Sequence, residues 1–157
     1  MSVESSNKTK KVFIVVNDLI TALNFRKDLI KTISKSGHDV FIVAPKKSSF
    51  ISETVINDFF KAPHLNFIEI KLNRFSINPL LELIYLAKLY RIFKKFSPDY
   101  IFLYTSKSNV WGSIAAYCAG IREVYCTVTG LGFAFISSSL KASIARFFLN
   151  ILFRISM

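Results

Sequence analysis

The stretch SPDYIFLYTSKSNVWGSIAAYCAGIREVYCTVT (Ser97–Thr129) contains two apolar runs separated by a segment rich in small residues. A Ser-Pro turn signal precedes the first run. The middle segment is predicted to be a helix that Ser108 caps and that ends near Gly120. Parallel strands need a crossover between them, and such crossovers are right-handed. This unit therefore predicts a parallel α/β sheet.

The same alternation continues towards the N-terminus. Short apolar runs predict buried strands, and helical spacing of apolar residues lies between them. Strands are predicted at Lys11–Val16, Val40–Pro45, Asn66–Leu72, within Ser97–Thr105 and at Arg122–Thr129. Helices are predicted within Ala22–Val40 with Gly37 at its end, within Ser48–Pro63, at Asn78–Phe96, from Ser108 and over Ser137–Met157. We expect a Rossmann-like parallel sheet of about five strands with helices on both faces.

Length, charge and hydropathy limit the function classes. The 157 residues suit one domain, with residues 1–10 as a flexible N-terminus and 11–157 as the folded unit. The formal net charge of +11 indicates nucleic acid, an anionic membrane face or a phosphorylated substrate as partner. The basic residues are not interleaved with aromatics as in RNA-binding modules, and they lie beside long apolar runs. This pattern favours a membrane surface over nucleic acid, although no uncharged apolar stretch is long enough to span a bilayer.

In a parallel sheet, ligands gather at the carboxyl ends of the strands. The segments that follow the predicted strands are Asn17–Asn24, Pro45–Ser49, Asn73–Ser76, Thr105–Asn109 and Thr127–Phe133. Asp18 is the notable carboxylate among them. As a candidate catalytic residue, it accepts a proton from a substrate hydroxyl or binds a sugar hydroxyl. The alternative is an ordinary capping or solvated turn residue.

Two further segments offer polar groups to this edge. Ser106 and Lys107 lie at a predicted helix N-terminus, where free N–H groups suit phosphate or sugar oxygens, with plain N-capping by Ser106 or Ser108 as the alternative. Asn24 and Arg26 are predicted in the first turn of the first helix. Arg26 is either an anion clamp or a surface charge.

Common cofactor and metal motifs do not fit. The first strand–helix turn, VVNDLITALNF, has no glycine, so a dinucleotide fingerprint is absent. The segment TVTGLGFAF (Thr127–Phe135) lacks the lysine and the length of a P-loop, and its glycines are either a tight turn or a cleft loop. His38 and His64 lack metal-ligand spacing, and His38 is expected at the amino end of the sheet. We expect neither a metal nor a cofactor.

The order and spacing of NFRKDLIKTISKSGHDVFIVAP, of the run from Phe75 to Ile121 and of VTGLGFAF resemble the N-terminal half of family 4-type bacterial glycosyltransferases. The branch that the chain resembles builds lipid-linked glycans, capsule and O-antigen. The resemblance covers nearly the whole chain from Lys11 onward. Residues aligning with family cleft segments are Asn24, Arg26, Ser106, Lys107, Thr129, Gly130 and Gly132. Thr129 stands where the family commonly has a histidine.

The resemblance implies one half of a GT-B fold, in which two Rossmann-like domains face each other across a cleft. It implies that this half receives the acceptor, while a C-terminal domain binds the nucleotide-sugar co-substrate. We expect that domain to be missing here or supplied by a partner chain. The expected activity is that of a hexosyltransferase once a donor domain is present. The alternatives are a non-catalytic subunit, a truncated remnant and a plain small-molecule-binding Rossmann module.

The resemblance also implies a peripheral position at the cytoplasmic face of the plasma membrane. Cations beside apolar side chains attract anionic headgroups while the apolar groups insert. The predicted membrane contacts are Lys88, Arg91, Lys94, Lys95, Lys141, Arg146, Phe147, Phe148 and Arg154. For Phe147–Phe153 the alternative is packing on the sheet or on a second domain.

Overall fold

The computed structural model describes residues 8–46, 52–72 and 78–128. Over this part of the chain, short strands alternate with helices. The elements are β1 (Lys11–Val15), α1 (Leu19–Phe25), α2 (Lys27–Lys35), β2 (Asp39–Ala44), α3 (Glu53–Phe60), β3 (Leu65–Glu69), α4 (Pro79–Phe96), β4 (Tyr100–Tyr104), α5 (Ser106–Ala119) and β5 (Val124–Thr127). The helix predicted over Ser137–Met157 lies outside the described residues.

The five strands form one parallel sheet in the order β3-β2-β1-β4-β5. Strand β1 is central, and its Val12 lies in register with Val40 on one side and with Tyr100 on the other. From β1 the chain builds outward to β3, then crosses back through α4 to β4. The predicted Rossmann-like sheet is confirmed, including all five strand positions to within a few residues.

Helices cover both faces of the sheet. On one face, Ile14 and Ile42 belong to a buried cluster that includes residues of α1, α2 and α3. On the other face, Phe13 and Val15 pack with residues of α4 and α5. Alternate residues of β1 point to opposite faces, so both sides of this strand are buried. This explains why its sequence is an unbroken apolar run.

Helix α4 has the ends that the sequence predicts. The Asn78 side chain accepts a hydrogen bond from the N–H of Leu80 at 3.0 Å, and Pro79 occupies the first helical position. The helix ends at Ser97, which has a left-handed backbone with φ of 47°. Lys94 and Lys95 lie in the last turn, where their positive charges interact favourably with the negative end of the helix dipole.

Two helix predictions are wrong in detail. The segment predicted as one helix within Ala22–Val40 forms α1 and α2, which meet at Arg26, and α1 begins earlier, at Leu19. The cause is Asp18, whose side chain satisfies the N–H of Ile20 and so starts the helix before the periodic apolar residues begin. Helix α5 begins at Ser106 after Thr105, so Ser108 is a buried residue of its first turn rather than its cap.

Candidate functional site

The strand order creates a switch point between β1 and β4. From β1 the chain turns towards β2, and from β4 it turns towards β5 on the other side. The loops after β1 and β4 therefore diverge and leave a crevice at the carboxyl edge of the sheet, where ligands of open α/β sheets bind. This crevice, which we call the switch-point cleft, contains two of the nominated segments, those beginning at Asn17 and Thr105.

A hydrogen bond joins the two sides of the cleft. The Ser108 hydroxyl donates to Oδ1 of Asn17 at 2.8 Å, although these residues are 91 positions apart in the chain. Ser108 is completely buried. A buried hydroxyl bonded to an amide oxygen fixes the distance between the β1 and β4 loops, so the base of the cleft is preformed.

Thr105 turns the chain from β4 into α5 through an unfavourable backbone conformation. Its φ of 77° and ψ of 151° belong to a region that is essentially reserved for glycine. Its carbonyl accepts from the N–H of Asn109 at 2.9 Å, and its N–H donates to the carbonyl of Thr127 at 3.4 Å. Its hydroxyl is buried without a hydrogen-bond partner among the described residues. Strain of this kind concentrates at functional sites.

Asn109 ties the same turn to the last strand. Its side-chain Nδ2 donates to the carbonyl of Thr127 at 3.2 Å, and the residue is completely buried. Its Oδ1 has no partner in the part of the chain that the structure describes. The Ser113 hydroxyl donates to the Asn109 carbonyl at 2.6 Å, which holds that turn of α5 in place. Together these bonds fix the point where the chain leaves β5.

Asp18 lies just past the carboxyl end of β1, as the sequence predicts. Its Oδ1 accepts from the N–H of Ile20 at 3.0 Å, and the Thr21 hydroxyl donates to its carbonyl at 2.7 Å. The capping alternative is therefore present in the structure. A catalytic role for Asp18 remains a prediction.

Arg26 and Asn24 do not lie in the first turn of the first helix; they lie at its C-terminal end. Asn24 is exposed there, about 7.5 Å along the axis from the start of α1. Arg26 reaches back towards the cleft, because its Nη1 donates to the carbonyl of Thr21 at 3.0 Å. Its guanidinium lies 3.8 Å above the ring of Tyr104, at the end of β4. This cation–π contact holds Arg26 against the sheet, on the α1 side of the cleft.

Lys107 contacts a partner that the sequence did not suggest. Its Nζ lies 2.6 Å from Oε1 of Glu82 in α4, and the two side chains are only 16% and 11% exposed.

Burial raises the pKa of the neighbouring Tyr85 to about 12, an effect that the nearby Ser108 hydroxyl opposes and the Glu82 carboxylate adds to. The Tyr85 hydroxyl is buried and forms no hydrogen bond with a described residue. Ser106 is half-buried at the first position of α5.

The buried network at the cleft base was only partly visible in the sequence. The polar segments predicted after the strands include Asn17, Thr105 and Asn109, but nothing in the sequence distinguishes these three as members of a network. The predicted segments do not include Glu82 and Tyr85. The useful signal was a run of small polar residues after an apolar strand, which indicates buried hydrogen bonding as well as capping. Thr129, Gly130 and Gly132, together with Lys141, Arg146, Phe147, Phe148 and Arg154, lie outside the described residues.

Both histidines lie at the amino ends of the strands, opposite the switch-point cleft. Nδ1 of His38 accepts from the N–H of Lys10 at 3.4 Å, which confirms that His38 lies at the amino end. Nδ1 of His64 lies 2.8 Å from Oδ1 of Asp39. Within residues 8–46, 52–72 and 78–128, no group of three or more His, Cys, Asp or Glu side chains is arranged to hold a metal ion.

Helix α4 presents an outer surface that changes character along its axis. Its first two turns expose Leu80, Leu81, Leu83 and Ile84. The later turns carry the four predicted membrane cations of this helix, Lys88, Arg91, Lys94 and Lys95, of which Lys88 is half-buried and the others exposed. Among the helices that the structure describes, none is long and apolar enough to cross a bilayer.

The family model for glycosyl transferase 4-like proteins matches residues 13–156. The chain belongs to this family. It is also 29% identical, over 133 residues, to the N,N'-diacetylbacillosaminyl-diphospho-undecaprenol alpha-1,3-N-acetylgalactosaminyltransferase of Campylobacter jejuni. That match covers 85% of this chain and 34% of the Campylobacter protein, so the chain spans about a third of its relative's length.

Solved structures share the fold at low sequence identity. A UDP-N-acetylglucosamine 2-epimerase matches with a TM-score of 0.61 and 18% identity, over 92% of this chain and 40% of the epimerase. A glycosyltransferase from Rickettsia africae matches with a TM-score of 0.55 and 20% identity, over 85% of this chain and 34% of that protein. These likenesses agree with the Rossmann-like sheet.

Proposed function

We propose that this family 4-like glycosyltransferase chain is the acceptor-side domain of its enzyme. In this proposal the enzyme transfers a sugar from a nucleotide-sugar to a lipid-linked glycan or polysaccharide precursor at the cytoplasmic face of the membrane. The observation that carries the proposal is family membership over residues 13–156, in a chain similar to an enzyme named for a lipid-linked substrate. The nucleotide-sugar binds mainly to a second Rossmann-like unit, on the same polypeptide or on a partner chain.

The switch-point cleft supplies the groups that an acceptor sugar needs. In the transfer, an acceptor hydroxyl oxygen bonds to the anomeric carbon, the bond from that carbon to the nucleotide diphosphate breaks, and the hydroxyl proton moves to a base. Asp18, just past β1, is the carboxylate that we assign to that hydroxyl. The first N–H groups of α5, beginning at Ser106, carry the positive end of the helix dipole and suit sugar or phosphate oxygens. The Ser108–Asn17 hydrogen bond holds the loops after β1 and β4 at a fixed separation.

The acceptor role of Asp18 is tested by a charge-only substitution. Asn caps helices about as well as Asp, so Asp18→Asn retains the start of α1 while it removes the negative charge. A hydrogen bond to a charged group is worth about 1.5–3 kcal/mol, so acceptor affinity should fall about ten-fold or more. The matched control is Asp28→Asn, which removes an exposed carboxylate from the first turn of α2. Equal acceptor affinity in the two variants, measured with a polyprenyl-diphosphate saccharide in detergent, argues against this assignment.

Calorimetry with nucleotide-sugars distinguishes the acceptor domain from other functions. The isolated chain should bind nucleotide-sugars weakly, because the donor unit supplies most of that site. Tight binding of a nucleotide-sugar by the 157-residue chain would instead support the small-molecule-binding module. Acceptor binding without transfer, even after a donor unit is added, would support a non-catalytic subunit.

The membrane part of the proposal rests on α4. Its exposed leucines lie next to the cleft edge, with Lys88, Arg91, Lys94 and Lys95 further along the same helix. Such a surface suits insertion of apolar side chains between headgroups that the cations attract. Lys141, Arg146, Phe147, Phe148 and Arg154 belong to the same proposal on sequence grounds alone. Flotation with anionic vesicles at low salt should carry the chain upward.

A matched pair of variants separates this surface from general stickiness. Leu83 in α4 is 56% exposed and Val55 in α3, on the other face of the sheet, is 54% exposed. Leu83→Ser should reduce vesicle binding about ten-fold or more, because a buried apolar side chain contributes about 1.5–3 kcal/mol. Val55→Ser should leave vesicle binding unchanged. Equal losses in both variants, or a wild-type chain that stays in the bottom fraction, would remove α4 from the proposal.

A further inference from the structure

A recess lies between the end of the edge strand β3 and the outer side of α4. Its volume is about 470 Å³, and its lining residues are Glu69, Ile70, Lys71, Lys88, Arg91 and Ile92. Strand β3 is two positions from β1 in the sheet, so the recess is about 10 Å or more from the switch-point cleft. It is therefore a separate feature of the chain. Lys71 belongs to none of the sites described above.

The cations around this recess have no carboxylate partner among the described residues. The side chains of Lys71, Lys88 and Arg91 form no ion pair or hydrogen bond with any residue that the structure describes, whereas those of Lys10 and Lys107 each have a carboxylate partner. Among the described lining residues, Glu69 is the one carboxylate, and it too forms no ion pair with a described residue. These three cations and one carboxylate carry a formal charge of +2.

The floor of the recess strengthens this charge. Ile70 is buried and Ile92 is half-buried, so one side of the recess is an apolar protein surface rather than solvent. Charges beside a low-dielectric surface attract an anion more strongly than charges in open solvent do. An arginine guanidinium in addition matches the geometry of phosphate oxygens, which favours phosphate over a simple halide.

We propose that this recess is a phosphate-binding site, formed by Lys71, Lys88 and Arg91. Its volume falls within the range of small-molecule sites, so it accommodates a phosphate with an attached group. Two sources supply such a group: the headgroup of an anionic membrane lipid, or a soluble phosphate compound. The lipid source rests on the proposed function, because Lys88 lies one helical turn, about 6 Å, beyond the exposed Ile84 on α4.

The first experiment tests the site with soluble anions. The 157-residue chain is titrated with inorganic phosphate and with pyrophosphate by calorimetry, and Lys71→Gln and Arg91→Gln are compared with the parent. Removal of one unit charge at about 6 Å in a water-like medium weakens binding about three-fold for each negative charge on the anion, so each variant should bind a divalent phosphate about ten-fold more weakly. The control is Lys31→Gln, which removes an exposed lysine from α2 on the other face of the sheet. Its affinity should equal that of the parent.

The second experiment identifies the source of the phosphate. Vesicles that contain phosphatidic acid are compared with phosphatidylserine vesicles of equal surface charge. Preference for phosphatidic acid, lost in Lys71→Gln and kept in Lys31→Gln, identifies a lipid headgroup. Saturable binding of soluble phosphate without that preference identifies a soluble phosphate compound.

The inference is overturned if soluble phosphate and pyrophosphate show no saturable binding and vesicles show no headgroup preference. It is also overturned if Lys31→Gln loses as much affinity as Lys71→Gln. In both cases flotation on anionic vesicles can still succeed, so the recess can fail while the proposed membrane contact stands. Conversely, saturable phosphate binding by a chain that does not float supports the recess and contradicts the membrane contact.

Discussion

The ion pair between Glu82 and Lys107 should dominate the stability of the α4–α5 contact. Lys107→Met removes the ammonium that lies 2.6 Å from Oε1, in a pair whose side chains are 11% and 16% exposed. The second carboxylate oxygen of Glu82 is buried without a partner among the described residues, so the whole charge would lose its compensation. Breaking a buried pair in this way costs about 3–5 kcal/mol. At about 2–4 °C per kcal/mol, the melting temperature should fall by roughly 10 °C.

A double substitution separates the cost of an unpaired charge from the value of the pair. Glu82→Leu with Lys107→Met removes both charges, and apolar replacements of buried pairs are often neutral or stabilising. The double variant should therefore recover most of the stability that Lys107→Met loses. The surface control is Lys61→Met, which breaks a pair of nearly equal length, 2.7 Å to Asp58, with side chains 76% and 69% exposed. That loss should stay below about 1 kcal/mol.

Urea unfolding followed by circular dichroism measures the parent, Lys107→Met, Glu82→Leu, their double variant and the Lys61→Met control under one condition. The coupling free energy comes from the double-mutant cycle, because the two residues are in direct contact. A Lys107→Met loss no larger than that of Lys61→Met would refute the reasoning.

Three further predictions concern other positions. Gly112→Ala should cost about 1–3 kcal/mol in urea unfolding, because a Cβ there would lie 2.6 Å from a methyl of buried Leu103. Thr105→Gly should stabilise the fold by about 1 kcal/mol, because it relieves the backbone strain at φ of 77°; a loss of stability would show that the turn is not strained. Asp99 accepts from the N–H of Lys11 at 2.8 Å, and this hydrogen bond is the main cause of its lowered pKa. Stability should therefore be full above the ordinary pKa of Asp and fall as the pH drops through the lowered value, and Asp99→Asn should weaken that acid dependence.

The sequence was a good guide wherever burial on both sides decides the residue type. The β1 and β2 runs are apolar at every position that faces a helix layer, so their limits could be found to within a residue. Helix α4 was equally clear because its cap, first-turn proline and basic end all agree. The α1–α2 region was less clear, because a cap at Asp18 starts one helix and a break at Arg26 starts another within one continuous periodic pattern.

The cleft network could not be predicted, because it depends on which loops the strand order brings together. Asn17 and Ser108 look like an ordinary turn residue and an ordinary cap until β1 and β4 are known to be neighbours. Strand order follows from tertiary packing and topology, not from local propensity. The polar segments after each strand could therefore be nominated, but their hydrogen bonds could not be assigned.

The Thr127 carbonyl shows how this network connects to the glycine segment of the sequence. It accepts hydrogen bonds from the N–H of Thr105 and from the side chain of Asn109, so the end of β5 is held from two directions. The segment beginning at Thr129 follows in the chain after one further residue. If that segment lines the cleft, as the family resemblance implies, then Asn109 determines where it begins. The strained turn at Thr105 then keeps α5 in its position. A relaxed turn would move α5 and, with it, the Asn109 side chain that donates to the end of β5.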